Sequence, residues 1–207
     1  MSVPMQVALM LAALTLLPAV IMSVTPFLRI TIVLHFLRQA LGTQSTPSNQ
    51  VLAGLALFLT SLVITPLIGD IRQKAWTPFE EGKITQSEAI DLAGKPLKDF
   101  LLKFAREKDI RLLIEASRRT PPNKPSDLGL DVLIPAYILS ELKAGFQIGA
   151  VLFLPFLVID LVVASVTLSV GMVQLPPVMV SAPFKILLFV LVDGWNLLIG
   201  SLIKSLM

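Results

Sequence analysis

Residues 155–185 read PFLVIDLVVASVTLSVGMVQLPPVMVSAPFK. Two apolar runs in this stretch flank the segment 171–177, which begins with a glycine and ends with two prolines. Tandem prolines cannot continue a helix, because each lacks the backbone N–H that a helix needs. The stretch therefore predicts a helical hairpin with the segment 171–177 as a tight turn at its tip.

Each arm of this hairpin carries one charged side chain, Asp160 or Lys185. A charge at the centre of a membrane costs about 2.5–3.5 kcal/mol, so it needs a partner or a function. Asp160 lies eleven residues before Gly171 and Lys185 lies eight residues after Pro177, which is about 16 and 12 Å from the turn at the helical rise. We hypothesise a buried ion pair across the hairpin. Contact of each charge with a backbone group, a water molecule or a neighbouring subunit remains open.

The composition of the whole chain is that of a membrane protein. Of its 207 residues 55% are hydrophobic and 15% are charged, against about 25% charged in an ordinary soluble domain, and the mean hydropathy is +0.81. Between Asp70 and Asp131 lie 12 of the 17 Lys and Arg and 11 of the 14 Asp and Glu. The sequence therefore predicts apolar helices interrupted by one polar insert.

These segments predict an all-α fold of two long apolar helical hairpins flanking a soluble helical insert. The first hairpin covers residues 1–68, the insert 69–133 and the second hairpin 134–207, whose last apolar segment is expected to run from Val178 to the C-terminus. The short loop of the first hairpin has Arg38 nearby and no acid, so the positive-inside rule places it in the cytoplasm and the insert outside. The first residues lack the positive region of a signal peptide, and none is predicted.

Local signals refine this outline. Pro18 and Pro26 predict a bent or split first helix. Thr85 and Glu88 have the spacing of a helix-capping box, and the residues 120–127 predict an extended linker at the end of the insert. Four apolar residues of the insert recur at helical spacing and predict one buried helix face: Leu97, Phe100, Leu101 and Phe104.

Two further charges, Arg29 and Asp193, also lie in apolar sequence. Lys185 and Asp193 are eight residues apart, about 12 Å along one helix, which is too far for a direct bond. The partners of Arg29 and Asp193 are therefore expected on another helix of this chain or on another subunit. The spacing Gly145-x-x-x-Gly149 favours close helix contacts of either kind.

Several function classes have no support in the sequence. The chain has no cysteine and one histidine, His35, so it predicts no disulfide, no thiolate or histidine metal centre and no cofactor. No basic stripe of the kind that binds nucleic acid is present. Asp160 and Asp193 raise the alternative of an intramembrane aspartyl protease, but the sequence around Asp193 lacks the expected Gly-x-Gly-Asp setting, and we predict no enzyme. A stand-alone ion or small-solute transporter is the second alternative.

Five groups of residues, spread over nearly the whole chain, together resemble one known family. They are Phe27-Leu-Arg-Ile-Thr-Ile-Val-Leu34; Leu41-Gly-Thr43 with Asn49-Gln-Val51; Pro135-Ala-Tyr-Ile-Leu-Ser-Glu-Leu-Lys143 with Phe146-Gln-Ile-Gly149; Pro155-Phe-Leu-Val-Ile-Asp160; and Pro183-Phe-Lys185 with Leu191-Val-Asp-Gly-Trp195. This pattern is similar to the FliP/SctR export-gate family of type III secretion.

The resemblance implies a non-enzymatic subunit that assembles helically into a homo-oligomeric, pentamer-like ring. Its implied partners are FliQ and FliR, with FlhA and FlhB nearby. The ring would surround a conduit for unfolded flagellar proteins. The implied location is the bacterial inner membrane and its periplasmic side, in the flagellar basal body, with the insert in the periplasm.

The resemblance also assigns expected roles to residues. A methionine-rich turn closes the pore in the family, and the matching positions here form a gasket of Met172, Val173, Gln174 and Leu175, only one of which is a methionine. Simple packing of Met172 is the alternative. Glu141 and Lys143 match a polar pair expected to bond between subunits. The four apolar-segment charges, Arg29, Asp160, Lys185 and Asp193, are then expected to be buried and to direct assembly.

Overall fold

The computed structural model describes residues 3–118, 124–172 and 176–207. Within these ranges the regular structure is helical, without any β-strand. The α-helices are Val3–Ser23 (α1), Phe27–Ala40 (α2), Asn49–Ile71 (α3), Thr77–Glu80 (α4), Gln86–Phe104 (α5), Glu107–Ala116 (α6), Leu130–Ser169 (α7), Pro177–Leu191 (α8) and Gly194–Lys204 (α9). The predicted all-α class is confirmed.

The first apolar segment is split, as predicted, into α1 and α2. The break falls at residues 24–26, so Pro26 separates the helices, whereas Pro18 lies inside α1. The hydroxyl of Thr25 accepts a hydrogen bond from the backbone N–H of Phe27 at 3.4 Å, which satisfies one donor at the start of α2. Gly42, with φ +74°, follows the end of α2.

Three helical stretches are long and apolar enough to cross a membrane: Pro4–Ser23, Asn49–Glu80 and Leu130–Ser169. A fourth is reached if α8 and α9 are counted as one span bent by 67°. Side chains in the most apolar part of the Leu130–Ser169 stretch are mostly uncovered by the rest of the chain, with only 11% of that window buried. These surfaces fit a membrane-associated chain, because water is a poor solvent for them.

The bend between α8 and α9 corrects the prediction of one continuous segment from Val178 onward. Asp193 separates the two helices in the left-handed conformation, with φ 52° and ψ 50°. A Cβ on the next residue, Gly194, would lie 2.3 Å from the ring of Phe189, so only glycine fits there. The dipeptide Asp193-Gly194 is a typical turn signal, and the apolar residues around it concealed that signal.

The polar insert is helical and is capped where the sequence predicted. The hydroxyl of Thr85 accepts a hydrogen bond from the Glu88 N–H, and the Glu88 carboxylate accepts one from the Thr85 N–H at 2.7 Å. This backbone hydrogen bond, with a smaller contribution from the Thr85 hydroxyl, lowers the pKa of Glu88. The expected extended linker is only partly described: Pro125–Asp127 forms a 3-10 turn instead, and residues 119–123 lie outside the described ranges.

The chain divides into two compact units that alternate along the sequence. The first comprises Met1–Leu28 and Ile64–Glu141, and the second comprises Arg29–Val63 and Leu142–Met207. The predicted apolar face of the insert packs in the first unit, where Leu97, Phe100 and Phe104 surround buried Leu101, Leu133 and Tyr137. The three-part division of the sequence into hairpin, insert and hairpin stays a prediction.

Candidate functional site

The predicted ion pair between Asp160 and Lys185 is present in the second unit. Lys185 Nζ lies 2.6 Å from Asp160 Oδ2, and the side chains are 1% and 19% exposed, respectively. The hydroxyl of Ser181 donates a hydrogen bond to the other carboxylate oxygen, Oδ1. Ser181 and Lys185 are four residues apart on α8, so both reach the same carboxylate on α7.

The contact of Ser181 with Asp160 was not predicted from the sequence. The four-residue spacing of Ser181 and Lys185 could have indicated it, because residues four apart lie on the same face of a helix. A serine in an apolar helix usually bonds the backbone of its own helix, and Ser181 also approaches the carbonyl oxygen of Val178 at 3.1 Å. The carboxylate of Asp160 thus receives a charged donor on one oxygen and a neutral donor on the other. Both carboxylate oxygens therefore have a donor, so neither is left unsatisfied in the apolar surroundings.

Arg29 contacts the end of the last helix in the same unit. It is buried, and its Nη1 donates to the carbonyl oxygen of Ser205 at 2.9 Å and approaches the Ser205 hydroxyl at 3.4 Å. Ser205 is the C-cap residue of α9, where the last carbonyl groups of a helix lack partners and carry partial negative charge. Of the two alternatives that the sequence left open, another helix of this chain supplies a partner.

Asp193 is not buried within the single chain. It is exposed at the α8–α9 break, and its carboxylate accepts a hydrogen bond from the side-chain amide of Asn196 at 3.1 Å. The left-handed backbone at this position turns the chain between two helices and directs the side chain outward. Burial of Asp193 against another subunit stays a prediction.

The two residues expected to bond between subunits lie in different surroundings. Glu141 is 0% exposed within the chain, whereas Lys143 is exposed, and the expected bond of this pair between subunits stays a prediction. Glu141 ends the first compact unit and Lys143 lies in the second. Both are on α7, where residues two apart do not share a face, so the pair cannot act as one patch.

A polar cluster that the sequence analysis missed lies in the first unit. Arg106 Nη2 lies 2.6 Å from the carboxylate of Asp109, which is buried. The buried hydroxyl of Ser140 donates to the same carboxylate at 2.6 Å and accepts the Arg106 backbone N–H at 2.9 Å. These bonds join the start of α6 to α7. The three-residue spacing of Arg106 and Asp109 was a signal for the ion pair, but nothing in the sequence indicated Ser140.

The predicted glycine contact is also present in the second unit, between α2 and α7. A Cβ added at Gly149 would lie 2.5 Å from the ring of Phe36, and one added at Gly145 would lie 3.1 Å from Ile32. The Phe36 ring also meets the ring of Phe146 edge to face at 5.6 Å. The small residues of the Gly-x-x-x-Gly motif therefore serve a helix contact within one chain.

Of the four residues of the predicted gasket, the structure describes only Met172. Gly171 has φ +81°, a conformation that favours glycine, and Met172 after it is exposed. Val173, Gln174 and Leu175 lie outside the described residues. Pro176 is the N-cap of α8 and Pro177 its first residue, a position that tolerates proline because the N–H there has no helical partner.

Comparisons with known proteins cover almost the whole chain. The sequence profile of the FliP family matches residues 10–202. The flagellar biosynthetic protein FliP of Bacillus subtilis strain 168 is 49% identical over 197 residues, which are 95% of this chain and 89% of that protein. The FliP of Cereibacter sphaeroides is 48% identical over 97% of this chain and 67% of its own length, and that of Pectobacterium carotovorum subsp. carotovorum is 46% identical over 97% and 78%. The chain therefore belongs to the FliP family.

Proposed function

We propose that the chain is a core subunit of the flagellar type III protein export gate. The observation that carries the proposal is the family match over residues 10–202, which includes both arms of the hairpin and its ion pair. The relatives are named flagellar biosynthetic proteins. In this role the chain acts without catalysis or a cofactor and forms, with other subunits, the conduit for unfolded flagellar proteins.

The uncovered apolar helices support assembly with other subunits. Large hydrophobic residues are exposed along α1, α7 and α8, far more than a single soluble chain tolerates. Lipid and neighbouring subunits are the two environments that cover such surfaces in a membrane complex. We assign the neighbouring subunits to further copies of this chain and to FliQ and FliR, with FlhA and FlhB close by, in the inner membrane and on its periplasmic side.

The Asp160–Lys185 pair, in this proposal, fixes the geometry of the second hairpin so that copies assemble in register. Arg29 holds the last helix against α2 in the same way. Lys143 is exposed and is available to a neighbouring subunit, whereas Glu141 supports its own chain. Asp193, exposed at the helix break, is the second charge available to a neighbour.

The turn at the hairpin tip is proposed as the pore seal. Met172 is exposed beside the glycine that starts the turn, and an unbranched thioether adapts to irregular gaps. In a ring of copies, the residues 172–175 would face one another around the conduit. We expect Met172→Ala to raise the ion conductance of the reconstituted complex, with Met179→Ala on α8, also exposed, as the matched control. Equal conductance of wild type and Met172→Ala would remove the sealing role.

The assembly is tested by measuring the mass of the detergent-purified complex by native mass spectrometry. The chain should form an oligomer of several copies that also retains FliQ and FliR when they are co-expressed. A stable monomer under both conditions contradicts the proposal. Restoration of swimming in a strain that lacks its own FliP tests the flagellar role separately from the oligomer.

A further inference from the structure

The loop between α2 and α3 is held by one arginine. Arg38 Nη1 donates to the carbonyl oxygen of Pro47 at 3.3 Å and to the side-chain oxygen of Asn49, the first residue of α3, at 2.6 Å. The carbonyl oxygen of Arg38 accepts the hydroxyl of Thr43 at 3.1 Å and its backbone N–H at 3.3 Å. Arg38 therefore bonds to both ends of the loop 41–48 and joins the end of α2 to the start of α3.

The second nitrogen of the same guanidinium fixes the state of the neighbouring histidine. Arg38 Nη2 lies 3.1 Å from Nδ1 of His35, one turn earlier on α2. A guanidinium has only N–H donors, so Nδ1 is the acceptor in this bond. Nδ1 accepts only in the neutral ring with its proton on Nε2, because both nitrogens of a protonated histidine are donors. Protonation of His35 therefore breaks the bond and places two positive charges side by side.

The elements around His35 bring no other charge close to it. The loop 41–48 and the residues 49–63 of α3 contain no ionisable side chain. On α7, Gly149 contacts the residue next to His35, and the charged residues of that helix lie at least six residues, about 9 Å, away from Gly149 along it: Asp131, Glu141, Lys143 and Asp160. The remaining charged side chains of the unit are bonded elsewhere or exposed: Arg29, Lys185, Asp193 and Lys204.

The loop that Arg38 holds packs against the first turn of α8. A Cβ added at Gly42 would lie 3.4 Å from the side chain of Val178 and 3.6 Å from that of Ala182. Val178 is the second residue of α8 and directly follows the turn 171–177 at the hairpin tip. The loop therefore supports α8 at the point where the tip of the second hairpin ends.

We infer that His35 and Arg38 form a pH-sensitive latch. At neutral pH His35 orients Arg38, the arginine holds the loop 41–48, and the loop packs against α8. At acid pH the protonated ring repels Arg38, which then releases the loop and the start of α8. Histidine suits this role, because it is the side chain whose charge ordinarily changes between about pH 5 and 8. The latch is a property of the chain itself and goes beyond the proposed export role, which requires no response to pH.

Hydrogen–deuterium exchange of the full chain, purified as its assembly, tests the latch when it is measured by mass spectrometry at about pH 7.5 and about pH 5.5. Exchange times are scaled for the intrinsic pH dependence of amide exchange. The amides of residues 41–52 and 177–183 should exchange at least about tenfold faster at the lower pH, since a hydrogen bond to a charged group is worth about tenfold or more. The residues 194–204 of α9 are the internal control and should not change.

Two substitutions separate His35 from other titrating groups. His35→Asn keeps a neutral acceptor, Oδ1, at the position of Nδ1, and should keep the loop protected at both pH values. His35→Phe keeps an aromatic ring without an acceptor and should give fast exchange at both. Gln39→Asn, at an exposed position of the same helix, is the matched control and should behave as wild type.

Equal protection of the wild-type loop at both pH values overturns the latch, and this comparison does not depend on the folding of any variant. A pH response that persists in His35→Asn assigns the titration to another group and also overturns it. Faster exchange in the loop with unchanged exchange at 177–183 overturns the transmission to α8. Equally faster exchange in α9 means that acid loosens the whole unit, which again overturns the latch.

Discussion

Removing one member of the Asp160–Lys185 pair should destabilise the chain unequally, depending on which member is removed. Breaking a buried pair costs about 3–5 kcal/mol, because the remaining charge is left without compensation. In Asp160→Asn the remaining charge is Lys185, which is 1% exposed, so we expect the upper part of that range. In Lys185→Met the remaining charge is Asp160, which is 19% exposed and still accepts the Ser181 hydrogen bond, so we expect about 3 kcal/mol or less.

The double variant Asp160→Asn/Lys185→Met leaves no uncompensated charge and should be more stable than Asp160→Asn alone. Replacement of a buried pair by neutral groups of similar volume is often close to neutral. The double variant should therefore cost much less than the sum of the two single substitutions, and the double-mutant cycle should give a coupling energy of at least about 3 kcal/mol, the upper end of the usual range for residues in contact. That is about a hundredfold or more in the folding equilibrium, at tenfold per 1.4 kcal/mol.

The assay is equilibrium denaturation of the detergent-solubilised chain, followed by tryptophan fluorescence. Asp193→Asn is the matched control, since it neutralises an exposed aspartate of the same unit and asparagine tolerates the left-handed backbone. It should change the unfolding free energy by no more than about 0.5 kcal/mol. Additive effects of the two single substitutions would refute the reasoning, because they would mean that the pair contributes nothing as a pair.

Two further predictions concern helix packing and helix capping. Gly149→Ala places a Cβ 2.5 Å from the Phe36 ring and should lower the unfolding free energy by about 1–3 kcal/mol in the same denaturation assay. The control is Gly54→Ala, which has nothing within 4 Å of the added Cβ and should not destabilise the chain. Equal effects of the two substitutions would contradict the packing argument. Thr85→Ala should cost about 1 kcal/mol through loss of the cap. Folding lowers the pKa of the Glu88 carboxyl from its ordinary value of 4.5. The ionised carboxylate therefore stabilises the folded chain above pH 4.5, and this stabilisation is lost as the pH falls through the lower folded value. Circular dichroism should show the corresponding loss of helicity at acid pH in wild type and not in Glu88→Gln.

Features that depend on spacing along one element could be predicted from the sequence. The Asp160–Lys185 contact follows from counting residues outward from a turn, because the helical rise converts sequence distance into height along the hairpin. The capping box at Thr85 and the break at Pro26 follow from equally local rules. In each case the chemistry that decides the structure lies within one helix or one hairpin.

Features that depend on contacts between distant segments could not be predicted in this way. Ser140 bonds to Asp109 across 31 residues, and Arg29 reaches Ser205 across 176. The sequence shows that such groups need partners but not which helix supplies them. Glu141 illustrates the same limit, since the sequence and the family resemblance did not indicate that packing within the chain encloses it completely.

The bend at Asp193 explains how Arg29, one of the four charges in apolar sequence, obtains a partner within its own chain. A straight helix from Pro177 to Lys204 would be about 42 Å long at 1.5 Å per residue and would carry its C-terminus away in one direction. The break, turned by 67°, lets the end of α9 return to Arg29, whose guanidinium then meets the partial negative charge of the terminal carbonyl groups. Arg29 is thus compensated by a helix end and Asp160 by Lys185, while Asp193 marks the break that makes the first contact possible. Three of the four charges thus lie in contacts within the chain, whereas Asp193 is exposed, and its burial against a neighbouring subunit stays a prediction.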